Sequence, residues 1–255
     1  MRIKYVLVAV IFLVSLLSLV NLSNKETQFS FNKNKSSITP TFPTTSVMAN
    51  SGTEQNNSSK PSLNANQGEE IGFIYEAFLT PQQEPGEEED TPASTPKQFK
   101  STAPSVPRNQ RKSRGHAILR FTKDLSKVYV DVKVEGVKVE DVTMFHIHCG
   151  KPDMLGPILV DFALSGDIQN NLSDGILSVE LVNEDIEKVV TSKHKHSIVA
   201  AFTLGCPIVP GTSDKVKTIA GMEHIARRSE LYFNLHTKGQ TYFGDMRGQI
   251  HPVKN

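Results

Sequence analysis

The sequence predicts an all-β fold, a Greek-key β-sandwich or barrel with one or two short helices. Three observations lead there. Short apolar runs alternate with polar residues at a period of two. They recur at close spacing from residue 71 to the end of the chain. Little helical periodicity separates them, which favours sheet packed on sheet.

Ile71–Leu79 is the first strand, rich in aromatic and β-branched residues. The next is Gly115–Phe121. In Lys127–Val134, Val128, Val130, Val132 and Val134 share one face, and Lys127, Tyr129, Asp131 and Lys133 share the other. In Val142–Cys149, Phe145, Ile147 and Cys149 point one way, while Met144, His146 and His148 point the other. Pro157–Phe162, Gly175–Val182 and Ser197–Leu204 are further strands. Glu230–His236 places Leu231, Phe233 and Leu235 inward, opposite Tyr232, Asn234 and His236. Met246–His251 closes the series. Helices are expected at Glu184–Val190 and Lys215–Arg227.

The folded part, 71–255, is preceded by two segments of different composition. Arg2 and Lys4 precede the apolar run Tyr5–Val20. This is the order of a secretory signal peptide or signal anchor over 1–22, and the run is shorter than the about 20 residues of a comfortable span. Residues 23–70 are rich in Asn, Ser, Thr, Pro and Lys and lack apolar periodicity. Such a chain cannot bury enough apolar surface to offset its ordering entropy, so it reads as a disordered tether. An extracytoplasmic location follows, secreted or anchored, with membrane contact only through the N-terminal segment.

Residues 85–112 interrupt the strand pattern with Pro85, Pro92, Pro96, Pro104 and Pro107, the acidic run Glu87–Asp90 and the basic residues Arg108, Arg111 and Lys112. This reads as a disordered, solvated insertion. The chain carries 28 Lys+Arg against 27 Asp+Glu, a net charge of +1, which leaves no basic footprint for a nucleic acid. The partner expected is an extracytoplasmic protein or polysaccharide.

Two cysteines, Cys149 and Cys206, sit at the ends of predicted strands. Export would place them where disulfides persist, so a bridge is expected, with two buried free thiols as the alternative.

Parity places His146 and His148 on one strand face, His236 with Asn234, His251 with Arg247 and Gln249, and His116 with Arg120. If those strands are neighbours, imidazoles converge. Two readings are open. One is a hydrogen-bonded network with no cofactor, in which histidines donate to carbonyls and Asn234 and Arg247 brace a turn. The other is a copper or zinc site at His146, His148 and His236, since neutral imidazole is a good ligand for either metal. The network is preferred, because paired histidines are often structural and no Asp or Glu ligand stands close by. His194 and His196 form a second His-x-His pair, expected to be exposed. No Gly-x-Ser-x-Gly elbow, phosphate loop or His-Glu-x-x-His helix is present, and the reading leans away from an enzyme.

Several blocks together resemble the CHRD (chordin) domain. They are Phe73–Glu84 (FIYEAFLTPQQE), Gly115–Phe121 (GHAILRF), Val128–Val137, Val142–Pro157 (VTMFHIHCGKPDMLGP) and Leu231–Ile250 (LYFNLHTKGQTYFGDMRGQI). The last carries the Asn-x-His-Thr and Arg-Gly-Gln signatures through Asn234, Arg247, Gly248 and Gln249. The resemblance implies an exported β domain, a non-enzymatic binding or structural module at the cell surface. Growth-factor binding, known for chordin, is not carried over, because the cysteine-rich modules that accompany the domain there are not seen. The His-x-His strand is also similar to the one that opens the metal site of copper/zinc superoxide dismutases. Lys151-Pro152-Asp153-Met154 follows it in place of a zinc loop, so dismutase activity is not expected.

Overall fold

A computed structural model describes residues 63–191, 203–209 and 212–253. The apolar run at 5–20, most of the expected tether, His194, His196 and most of the expected strand Ser197–Leu204 lie outside the described residues. Within that strand Leu204 forms a parallel bridge with Ile158.

Two antiparallel sheets pack face to face, which makes the fold a β-sandwich. The strands are β1 (Ile71–Leu79), β2 (Arg114–Thr122), β3 (Val128–Glu135), β4 (Val142–Cys149), β5 (Ile158–Asp161), β6 (Ile176–Leu181), β7 (Leu231–Thr237), β8 (Met246–Gln249) and β9 (His251–Pro252). One sheet runs β6-β3-β2-β1-β9 and the other β5-β4-β7-β8. Among the described residues, three short α-helices join them: α1 (Ile168–Asn171), α2 (Asn183–Thr191) and α3 (Ile219–Ala226). The sandwich is joined along one border, where Thr80, just past β1, exchanges two backbone hydrogen bonds with Arg247 of β8 at 2.8 and 3.1 Å. Gly248 is needed at this crossing, since a Cβ there would lie 2.8 Å from Leu79 Cγ.

The period-two pattern is what the sheets bury. Val128, Val130 and Val132 of β3 and Ala117, Leu119 and Phe121 of β2 point into the core with no exposed surface. Phe145 of β4 and Phe233 of β7 answer them from the second sheet, joined by Phe162 just past β5, with Phe145 and Phe162 ring centres 5.1 Å apart. A helix bound to the first sheet is anchored by a buried acid: Glu223 of α3 accepts the Tyr75 hydroxyl at 2.6 Å and pairs with Arg227 at 2.7 Å.

The cysteines form the expected bridge, Cys149–Cys206, with Cα atoms 6.0 Å apart. It ties the end of β4 to the chain leading into α3.

Two expectations require correction. Residues 85–112 are packed, not disordered. The acidic and basic runs that suggested solvation are each other's partners: Glu87 pairs with Arg111 at 2.9 Å and with Arg108 at 3.5 Å. The Glu88 carboxylate accepts the backbone N–H of Tyr242 and of Phe243. Arg111 donates to the carbonyls of Gly244 and Asp245 at 3.0 and 2.8 Å. Lys238 O accepts the N–H groups of Thr102 and Ala103. Polar side chains and backbone take the place of an apolar stripe in fixing this strap. The tether also ends earlier than expected: residues 65–69 form a 3-10 turn, and Glu70 pairs with Lys123 at 2.6 Å.

Candidate functional site

In β7 every residue is buried, so both faces of the strand are covered. One face supplies Leu231, Phe233 and Leu235 to the apolar core. The other carries Tyr232, Asn234 and His236 into a second, polar layer. Strand β4 splits in the same way, with Phe145 and Ile147 inward and Met144, His146 and His148 in the polar layer. Register aligns the two sets: Met144 faces His236, His146 faces Asn234 and His148 faces Tyr232. Strand β8 adds Arg247 opposite Asn234 and Gln249 opposite Tyr232.

This pairing brings His146, His148 and His236 together. One nitrogen from each ring lies within 4.8 Å of the other two. The rings are 3%, 9% and 5% exposed respectively, so the cluster is shielded from solvent. Two of the rings are fixed through Nδ1. The Nδ1 of His148 is 2.8 Å from Gly156 O, and that of His236 is 2.9 Å from Thr241 O. A carbonyl can only accept, so Nδ1 carries the proton in both rings and Nε2 keeps its lone pair. The Nε2 atoms of both are buried and have no hydrogen-bond partner. His146 is turned the other way. Its Nε2 is 3.6 Å from Asp161 Oδ1, and its Nδ1 is the buried, unpartnered nitrogen. Each ring therefore has one unpartnered nitrogen; a carbonyl fixes the other in His148 and His236, as is common for metal-ligating histidines, while the other nitrogen of His146 has only the Asp161 carboxylate 3.6 Å away.

Burial holds all three imidazoles neutral. It presses His146 well below the usual histidine range, helped by the repulsion that its protonated ring would meet from protons on His148 and His236. It takes His148 to about 3 and His236 to about 4, against the opposing pull of their carbonyl partners. The lone pairs are thus available at any pH above about 5.

Asp161 is the acid that sequence distance hid. It lies in β5, directly across from His146. Its carboxylate also accepts the Ala163 N–H at 3.0 Å. One of the two grounds for preferring a metal-free network, that no acid was near, does not hold in the fold. His116 and His251, grouped with the others by parity, lie elsewhere. His116 is in the first sheet, stacked on Phe78, and His251 is bound to Ser229.

The family-signature residues frame this layer. Arg247 is 1% exposed and donates to Met154 O at 2.9 Å and Lys151 O at 2.8 Å. Gln249 donates to Gly150 O and Ser229 O. Both hold the 150–156 loop, whose Gly156 receives His148 and gives its N–H to the Tyr232 hydroxyl at 3.0 Å. A Cβ at Gly156 would fall 1.5 Å from Cys149 O, so only glycine passes there. Asn234 Nδ2 donates to Phe243 O in the loop that carries Thr241. The same loop is gripped by Glu88 from the 85–112 strap. Burial pushes the Glu84 carboxyl, beside Arg247 and Arg111, up to about 8 despite their positive charges.

Tyr232, Asp161 and Glu88 were not singled out by sequence reasoning. Parity placed Tyr232 with Asn234 and His236 but assigned it no role. The other two are placed by pairing between distant segments.

No curated protein and no solved structure matches the chain. The model of the CHRD domain matches residues 98–250, from within the 85–112 strap to the end of β8, and leaves β1 outside. That stretch covers more than half of the sequence, and the chain belongs to the CHRD domain family.

Proposed function

We propose that this protein is an exported, non-enzymatic CHRD module that binds one copper or zinc ion through His146, His148 and His236. One arrangement carries the reading: three buried imidazoles converge, with one nitrogen of each within 4.8 Å of one nitrogen of the others, and each ring has one buried nitrogen without a hydrogen-bond partner. A buried polar atom left unsatisfied costs about 1–3 kcal/mol. A hydrogen-bonded network accounts for the Nδ1 atoms of His148 and His236 and leaves these three nitrogens unexplained. A metal ion would satisfy them together. The donor set fits the metals named, since neutral imidazole suits both copper and zinc.

A binding or structural role is favoured over catalysis by the burial of the ligands, which leaves little face for a substrate to approach. Export is supported by Arg2, Lys4 and the apolar run behind them, and it agrees with the Cys149–Cys206 bridge. The partners would be extracytoplasmic proteins or polysaccharides. Protease treatment of intact cells tests the location: the chain should be digested from outside, and full protection would exclude it. Equilibrium dialysis of the full chain against zinc, read by elemental analysis, tests the site. One ion per chain is expected, lost when His146→Ala and His148→Ala are combined. Retention of the ion by that double variant would refute the assignment.

A further inference from the structure

Beside the three histidines stands a side chain of different chemistry. Met144 shares the polar face of β4 with His146 and His148, and register sets it directly opposite His236. It is half-buried, and it begins one residue before Phe145, which points into the core. Its position therefore adjoins His146 two residues along the same strand and His236 across from it. A methionine has three rotatable bonds, so its sulfur can swing towards an ion held by the rings.

Resting on the metal site above, we propose that the resident ion is copper(I), held by His146, His148 and His236 with the Met144 thioether as the fourth donor. A thioether is a soft ligand that selects copper(I), whereas zinc gains little from it. Charge points the same way. All four donors are neutral, so the ion keeps its full charge in a buried place. The cost of desolvating an ion rises steeply with that charge, which favours a monovalent ion over a divalent one. Asp161 beside His146 supplies a single negative charge close by, enough to offset one positive charge and no more. The rings need only small movements. Donors about 2 Å from a shared ion lie roughly 3.3–3.5 Å apart, against separations of up to 4.8 Å in the present arrangement.

The test is a pair of competition titrations on the full chain. Copper(I) is titrated anaerobically against a chromogenic copper(I) chelator, and zinc against a zinc indicator. Each is run on the wild type and on Met144→Leu, which keeps the volume and removes the sulfur. Copper(I) should bind the variant roughly tenfold more weakly or worse, a loss of about 1.4 kcal/mol or more, while zinc affinity stays level. An unchanged melting temperature of the metal-free variant would show that its fold is intact. Copper K-edge absorption should show one sulfur neighbour in the wild type and none in the variant. Equal copper(I) affinity in the two proteins, or an equal loss for zinc, overturns the role of Met144 and leaves the histidine site standing. Failure of both ions to bind the wild type overturns the histidine site as well.

Discussion

The phenol ring of Tyr232 lies flat on the imidazole of His148, with ring centres 5.0 Å apart and planes 6° from parallel. The guanidinium of Arg247 sits 3.4 Å from the centre of the same phenol ring. A buried cation thus positions an aromatic ring, and that ring positions one of the three converging histidines. Arg247 also ties down the loop that receives the other nitrogen of His148. The closing signature of the family is therefore a brace for the polar layer.

Arg247→Lys should destabilise the domain by about 2–4 kcal/mol, because an ammonium cannot serve both carbonyls and stack on Tyr232 as the planar guanidinium does. The midpoint of urea unfolding measures this. A loss below about 0.5 kcal/mol would mean that the brace carries no weight.

Zinc added at about a hundred times its dissociation constant should stabilise the fold by about 2.7 kcal/mol, or roughly 5–10 °C in melting temperature. The gain should vanish in the variant combining His146→Ala and His148→Ala. A gain of the same size in that variant would place the ion elsewhere.

Acid should weaken the domain through these rings. Their folded pKa values, about 3 for His148 and about 4 for His236, lie below the ordinary value of 6.5. The unfolded chain therefore binds protons first as pH falls. The contribution is complete above about pH 6.5 and is lost towards pH 4, at ~1.4 kcal/mol per pH unit for each ring. Denaturant unfolding from pH 7 to pH 4.5 should show this slope, and His236→Gln should flatten it. An equal slope in wild type and variant would contradict the assignment.

Glu88 joins the strap to the loop above His236. Glu88→Ala removes the acceptor of the Tyr242 and Phe243 N–H groups, which should cost about 1–3 kcal/mol. It should also make residues 92–107 the first site of limited proteolysis within the domain. Wild-type resistance in the variant would show that the strap is held without it.

Joining Cys149 and Cys206 across a sequence separation of 57 should contribute about 4 kcal/mol on the chain-entropy model. Unfolding of the variant with both cysteines replaced by serine measures the difference. A change under about 1 kcal/mol would argue that the reduced chain is already confined there.

Much of the fold was legible in the sequence because a half-buried strand writes its two faces at period two. Val128, Val130 and Val132 read directly as core, and the same parity put His146 and His148 on one face and His236 beside Asn234. The meeting of these faces depends on the pairing of β4 with β7, which lie far apart in sequence. Asp161 escaped notice for the same reason, since only the pairing of β5 with β4 sets it against His146. The strap at 85–112 was misread because its charges look solvated one segment at a time. Glu87 and Arg111 become a pair only when the chain folds back, and Glu88 finds its donors at Tyr242 and Phe243. Composition describes a segment, and these contacts belong to two.

X-ray absorption at the zinc edge, on the full chain loaded with one equivalent of zinc, tests the convergence of His146, His148 and His236 most directly. The expected spectrum has three imidazole nitrogens about 2.0–2.1 Å from the ion. That signal should disappear when His146→Ala and His148→Ala are combined. An ion ringed only by water oxygens in the wild type, or a three-imidazole spectrum kept by the double variant, would contradict the site.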